Sequence, residues 1–454
     1  MTLLQKILCI TLGALVLCVP AFYNGFPFMF PDTNGYIMTG FTNEIGYARV
    51  WLYGGFIRHI SLYESPWLVV IAQGMLITMT LSLAFKHLFT CFNWQKYTLL
   101  YILVVGQTTA VAFHVSMLMP DTFTPIVILS LCLLLFGKKM SKSATILSVI
   151  LFMMATAMHN AHLILNIGLI IGLSLLMLVK KVRLFLKSCG IGYRKIAWLG
   201  GLVIITHLLV CTLHYSKGGA FQATKGGQIF LFARLCDFGI AQSYLKENRD
   251  IEKLNQLYDN VTSLGLGAHF LWSGESYLYQ TGGWTKENEA FYGKLVKNIL
   301  TTPKYLKKYL IKTMETTLMQ FFSYERSPHS ELYGVNANVI NTYFPTYTLA
   351  AKHSRQLKRS YNESSIENRN AIQHGLLMLS MIVILVMLWN SGYSKYQKAI
   401  ALFILFALLL NAFIAAASSG VFHRYQSRVA WLVTLPAFYF ISDKVHNIFT
   451  RIKE

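Results

Sequence analysis

Apolar residues in this chain come in runs long enough to cross a lipid bilayer, and that feature excludes most folds. A membrane helix needs roughly 20 mostly apolar residues to cross about 30 Å of hydrocarbon. About ten segments approach this, near 5–23, 66–85, 97–116, 121–137, 143–158, 163–180, 196–215, 371–389, 397–417 and 428–443. Only 13% of the residues are charged, against about a quarter in soluble domains. The expected fold is an all-α polytopic membrane protein with about ten transmembrane helices and a large extracytoplasmic loop region. The first run, Lys6 to Phe22, lacks a small-x-small cleavage site and reads as a retained helix rather than a signal peptide.

Loop charge gives the orientation. One alternating set of loops is basic: Lys86 to Lys96, Lys138 to Lys142, Lys180 to Lys195, Lys395 to Lys398, and the tail Lys444 to Lys453. The other set comprises 24–65, the turns at Met119–Pro120 and His159–His162, the segment 216–370, and Ser418–Ser427. Positive charge belongs inside, so both termini are expected in the cytoplasm and the second set outside. The acids agree. Of 19 Asp and Glu, only Asp443 and Glu454 fall on the inner side. The net charge of +21 is therefore read as cytoplasmic loops facing anionic lipid, not as a nucleic-acid surface, for which no aromatic-interleaved basic groove is present. The seven cysteines show no CxxC or Cys/His metal spacing.

Three modules follow: an N-terminal membrane module, 1–215, with a first outer loop at 24–65; an extracytoplasmic domain, 216–370; and a C-terminal membrane module, 371–454. The middle segment is too long for a simple connection. Within it, Asp250 to Leu264 and Thr302 to Tyr324 are expected to be helical, the second lying amphipathically on the membrane or the bundle.

Four separate outer loops carry residues suited to chemistry. In Phe30-Pro31-Asp32-Thr33-Asn34-Gly35-Tyr36, Asp32 stands just past the first helix at the water–lipid boundary. A carboxylate there can take a proton from a hydroxyl, and the same turn-rich residues also suit an Asx-turn or helix cap. Arg49 and Arg58 follow in the same loop, either as phosphate ligands or as interfacial anchors. Asp121 after Pro120 suits a cap on the fourth helix or a ligand on the face of Asp32. His159 and His162, three apart, can share a helical face and bind phosphate, a proton or a metal, or simply form a polar turn. Arg424 and Arg428, four apart, suit one helical face and a lipid phosphate, with His423 as a third donor; snorkelling at a helix end is the competing role.

In layout and in these residues the chain resembles the GT-C superfamily of membrane glycosyltransferases. The points of resemblance are Pro31-Asp32-Thr33 followed by Arg49 and Tyr53-Gly54, Asp121 after a proline, the His-containing third turn, and the Arg424 to Arg428 element. The resemblance implies transfer of a sugar from a polyprenyl-phosphate or similar lipid-linked donor to a lipid, glycan or protein acceptor. Asp32 would be the general base, Arg424 and Arg428 would neutralise the leaving lipid phosphate, and the anomeric centre would invert. Asp32 has no acidic neighbour, unlike the paired-acid forms, so a divalent metal is not required by the sequence; a Trp-Trp-Asp motif is also missing. Two other readings share the topology. One is a transporter or flippase of a lipid-linked or anionic substrate, for which His114, His207 and Gln107 are interior polar groups. The other is an outer-face polymerase, ligase or acyltransferase with His159 or His162 as base. The short loops fit a bacterial inner membrane.

Overall fold

The computed structural model describes residues 3–47, 49–91, 93–326 and 337–442. The principal helices are α1 (Leu3–Leu17), α2 (Pro31–Thr42), α3 (Trp51–Ile60), α4 (Pro66–His87), α5 (Trp94–Thr108), α6 (Phe123–Phe136), α7 (Lys142–Ala157), α8 (Asn160–Leu176), α9 (Lys180–Ser188), α10 (Tyr193–Ser216), α11 (Gly227–Asp237), α12 (Glu252–Leu264), α13 (Lys286–Thr301), α14 (Pro303–Phe321), α15 (Glu363–Trp389), α16 (Lys395–Ser418) and α17 (His423–Ala430). Among the described residues the only extended pairing is a bridge between Phe28 and Met117.

Among the described residues four helices, α4, α10, α15 and α16, are long and apolar enough to cross a membrane, and α8 with α9 qualifies as a pair bent by 112°. Helix stands at all ten expected positions, yet among the described residues only four helices, or five spans with the bent pair, qualify by length and composition. The shortfall has local causes. The third expected span breaks at Thr109, whose backbone is extended, before a short helix at Val111–Val115. Backbone groups freed inside a membrane protein need partners. Here the Ala110 N–H donates to Gln373 Oε1 at 2.6 Å, and the Thr109 carbonyl accepts from Arg326 at 3.4 Å. Helix α6 has only 14 residues, or about 21 Å at 1.5 Å per residue. It is apolar on all sides, and all its residues are buried, as such a helix must be. It packs against α4, α7, α16 and α17.

The basic loops collect around the Phe136 end of α6. Lys195 donates to Leu135 O at 2.7 Å, Tyr396 to Phe136 O at 2.6 Å, and the Lys138 N–H to His87 O at 2.8 Å. The basic tail Lys444 to Lys453 lies outside the described residues.

The first expected outer loop is mostly helical, formed by the hairpin of α2 and α3. Two glycines set its closeness. A Cβ on Gly40 would stand 2.2 Å from the Gly54 carbonyl oxygen, and one on Gly54 would stand 2.6 Å from Tyr36 O. Both obstacles are backbone, so neither can move aside cheaply. Gly54→Ala should therefore destabilise the protein by about 1–3 kcal/mol, seen as a lower unfolding midpoint in detergent; an unchanged midpoint would contradict this packing.

Two apolar cores form. The larger runs through the membrane helices and includes Ala337, Val339, Ile340, Phe344 and Ala351. The smaller gathers Phe232, Phe270 and Tyr292 from the region of α11 to α13. The middle module is thus divided, because its C-terminal part packs on the N-terminal module. Gln356 clamps Met29 there, accepting from its N–H at 2.9 Å and donating to its carbonyl at 2.8 Å. Helix α14 bridges the two cores. One side docks on α16 through Tyr309 OH to Ala417 O at 3.0 Å. Leu306, Leu310, Met314 and Leu318 stay exposed at four-residue spacing, the stripe expected of an interfacial helix.

Candidate functional site

Asp32 enters the site as the second residue of α2. Pro31 occupies the first helical turn and Thr33 Oγ1 accepts the Phe30 N–H at 2.9 Å. The helix is therefore capped by its neighbours, and the Asp32 carboxylate is used elsewhere. The same Thr33 hydroxyl donates to Leu118 O at 3.1 Å, while the Phe28 N–H donates to Ser116 O and the Phe28 carbonyl accepts from the Leu118 N–H, both at 2.9 Å. These ties hold the start of α2 against the turn that carries Asp121. Gln73, fully buried, fixes the other side by donating to Val115 O at 2.8 Å and Met117 O at 2.9 Å and bonding Tyr53.

Five charged side chains from distant parts of the chain meet there. Arg49 pairs with Asp32 at 2.9 Å and Arg424 reaches its other oxygen at 3.5 Å. Arg428 pairs with Asp121 at 3.1 Å, and Arg424 lies 4.0 Å from the same carboxylate. Arg424 and Arg428 both sit on α17, and their four-residue spacing places both on Asp121. Asp121 does not cap α6; it lies in a 3-10 turn without a capping bond, 2% exposed. Its role is ionic, since a carboxylate buried so deeply needs a cation beside it. The Asp32 side chain is 35% exposed, so one carboxylate is accessible and the other enclosed. Arg424 stacks its guanidinium 3.8 Å from the Phe30 ring centroid, which fixes the fork in a plane.

Three guanidiniums thus face two carboxylates, an arrangement with surplus positive charge. Arg49 Nε and Arg428 Nε are buried and without a hydrogen-bond partner among the described residues. Sequence reasoning missed Arg326. It is 8% exposed, its Nη2 is buried and likewise unpartnered, and it shares electrostatic reach of His114 with Arg424 and Arg428. Burial, with Arg369 adding to it, pushes Arg326 down to about 10, so it stays charged at neutral pH. No periodic pattern surrounds it, which is why it was not legible.

Several expected site residues serve other purposes. Arg58 donates to Gly40 O at 3.3 Å and to Tyr63 OH at 2.6 Å, bracing the hairpin instead of the site. His162 contacts Thr124 Oγ1 at 2.8 Å and Ala155 O at 2.7 Å through its two ring nitrogens, so neither is left for a ligand. His423 is engaged by Glu325 instead; its Nδ1 accepts from Glu325 N at 3.1 Å and its Nε2 lies 3.9 Å from the Glu325 carboxylate. The third-donor role is thereby corrected. Of the interior polar groups, His114 meets Ser427 Oγ at 2.8 Å, His207 lies 3.6 Å from Cys211 Sγ, and Gln107 is exposed.

His159 caps α8, its Nδ1 accepting from Ala161 N at 3.1 Å. Burial, then the charge of Arg428, push its imidazole down to about 4. Its folded value therefore lies below the unfolded one of about 6.5. In that window the unfolded chain binds more protons, so stability falls as pH drops. His159→Gln should lessen this loss between neutral pH and pH 4, measured as unfolding midpoint against pH; an identical slope would contradict a lowered pKa for the half-buried His159.

Among the described residues no group of three or more His, Cys, Asp or Glu is placed to hold a metal. Both site carboxylates are already engaged by guanidiniums, a donor set that suits an anion better than a divalent cation. Comparison with protein families, curated proteins and solved structures finds no match to this chain.

Proposed function

We infer that this protein is a membrane glycosyltransferase that moves a sugar from a lipid-phosphate-linked donor to an acceptor hydroxyl, with Asp32 as base. The observation that carries this reading is the 3.5 Å approach of Arg424 to Asp32 across 392 residues of sequence. A half-exposed carboxylate beside a surplus of guanidiniums is what transfer from a phosphate ester requires. The lipid phosphate is bound by Arg424 and Arg428, assisted by Arg326. Arg424 holds Asp32 Oδ2 only at 3.5 Å, while Arg49 holds Oδ1 at 2.9 Å. A phosphate arriving at Arg424 draws that guanidinium away and leaves Oδ2 to accept a proton. The acceptor oxygen then attacks the anomeric carbon, its proton passes to Asp32, and the bond from that carbon to the phosphate oxygen breaks. The electron pair leaves with the lipid phosphate, whose charge the arginines balance, and the anomeric centre inverts. In this reading the site faces the extracytoplasmic side of a bacterial inner membrane and both termini are cytoplasmic.

Arg424→Ala tests the phosphate assignment. With purified protein and a polyprenyl-phosphate sugar, KM for the donor should rise by about tenfold or more, the loss of a charge-assisted bond of about 1.5–3 kcal/mol. Unchanged donor affinity would remove Arg424 from the phosphate site.

A further inference from the structure

A second surface, on the middle module, has no part in the charged cluster. Trp272 and Trp284 lie with ring centroids 5.7 Å apart, Phe230 stands 5.3 Å from Trp284, and Tyr47 stands 5.5 Å from it on another side. Trp272 is 57% exposed and Tyr279 39%. Trp284 Nε1 donates to Tyr279 OH at 3.3 Å. Gly226 lets Tyr47 and Trp284 close on each other; its φ is +86°, and a Cβ there would stand 3.0 Å from the Trp284 ring and 3.3 Å from Tyr47. Its N–H donates to Glu289 Oε1 at 2.7 Å. Glu289 in turn lines an open cavity of about 820 Å³ together with Gln222, Gln228, Lys286 and Lys297.

We propose that this aromatic platform and the adjoining cavity bind the acceptor, and that the acceptor is a carbohydrate chain. A sugar ring presents one face of C–H groups and an edge of hydroxyls. The first needs a flat exposed aromatic surface, and the second needs amides and charged side chains that donate and accept. Both stand side by side here. The lining mixes the Glu289 carboxylate and two amides with Lys286 and Lys297, so it offers both acceptors and donors to hydroxyls, whereas an anionic lipid headgroup would use the lysines and meet the carboxylate. Its position fits the same purpose. Tyr47 lies two residues before Arg49, which holds Asp32 at 2.9 Å, so a glycan lying on the rings leads toward the base. This assignment rests on the transfer reading but is tested apart from it.

Full-length protein in nanodiscs should bind members of an array of neutral and acidic oligosaccharides saturably, without added donor. Trp272→Ala and, separately, Gln228→Ala should each weaken the bound oligosaccharide, the first by about tenfold. Binding to no oligosaccharide would overturn the proposal. So would glycan binding indifferent to Trp272→Ala, or a loss in that variant of insertion into anionic vesicles alone, which would make the rings a membrane anchor. If glycan binding persists while Asp32→Asn retains full turnover, the catalytic reading fails and the glycan site stands.

Discussion

Asp32→Asn should lower turnover of a polyprenyl-phosphate sugar by about 10²- to 10⁴-fold, the range removed with a positioned general base, while donor KM stays within a few-fold. The amide keeps the size of the side chain and can still accept from Arg49 through its oxygen, but it cannot take the acceptor's proton. A 35% exposed side chain also tolerates the change, so the variant should retain its unfolding midpoint. Wild-type turnover in a folded variant would remove the base from the mechanism. Asn should also differ from Ala: the alanine variant leaves Arg49 without its 2.9 Å partner and should lose donor affinity as well as rate.

The second large effect is on stability. Arg428→Ala would take from Asp121, which is 2% exposed, its nearest cation at 3.1 Å and leave only Arg424 at 4.0 Å to offset the buried charge. Removing one partner of a buried pair costs about 3–5 kcal/mol, whereas replacing both by apolar residues of similar volume is often neutral. The double variant Asp121→Leu with Arg428→Met should therefore recover much of the unfolding midpoint lost in Arg428→Ala. It should not recover donor binding. A midpoint in Arg428→Ala equal to wild type would show that Asp121 is not held by this pair. Recovery of donor binding in the double variant would place the phosphate elsewhere.

The helices were legible because apolar run length is a local property, and so were most charged members of the site. Asp32, Asp121, Arg424 and Arg428 were singled out because alternating loop charge assigns their three loops to one face. That argument carries no distances, and it also admitted Arg58 and His423. What separates them is packing. Arg58 is taken by Gly40 O only because two glycines let α2 and α3 close together. His423 is turned to Glu325 because α17 can direct one face at Asp121, and residues 424 and 428 occupy it. His162 looked available until α6 supplied Thr124 and α7 supplied the Ala155 carbonyl. Arg326 was invisible for the opposite reason: its burial arises from the broken helix at Thr109, and nothing within its own stretch of sequence records that break. Ten full spans are not shown on similar grounds, since hydropathy alone does not register a kink such as Thr109 or a helix as short as α6.

The shortness of α6 has a consequence for the substrate. If its Phe136 end meets one boundary of the hydrocarbon, a rod of about 21 Å stops short of the other, and Asp121 with its arginines, in the turn just beyond it, lies at the edge of the lipid. A polyprenyl carrier could then react without being lifted out of the lipid, its phosphate merely drawn sideways into the protein. The water-soluble acceptor would be the partner that travels, descending from the middle module to meet a headgroup below the surface, and bulk water would have little access to the sugar once it had arrived.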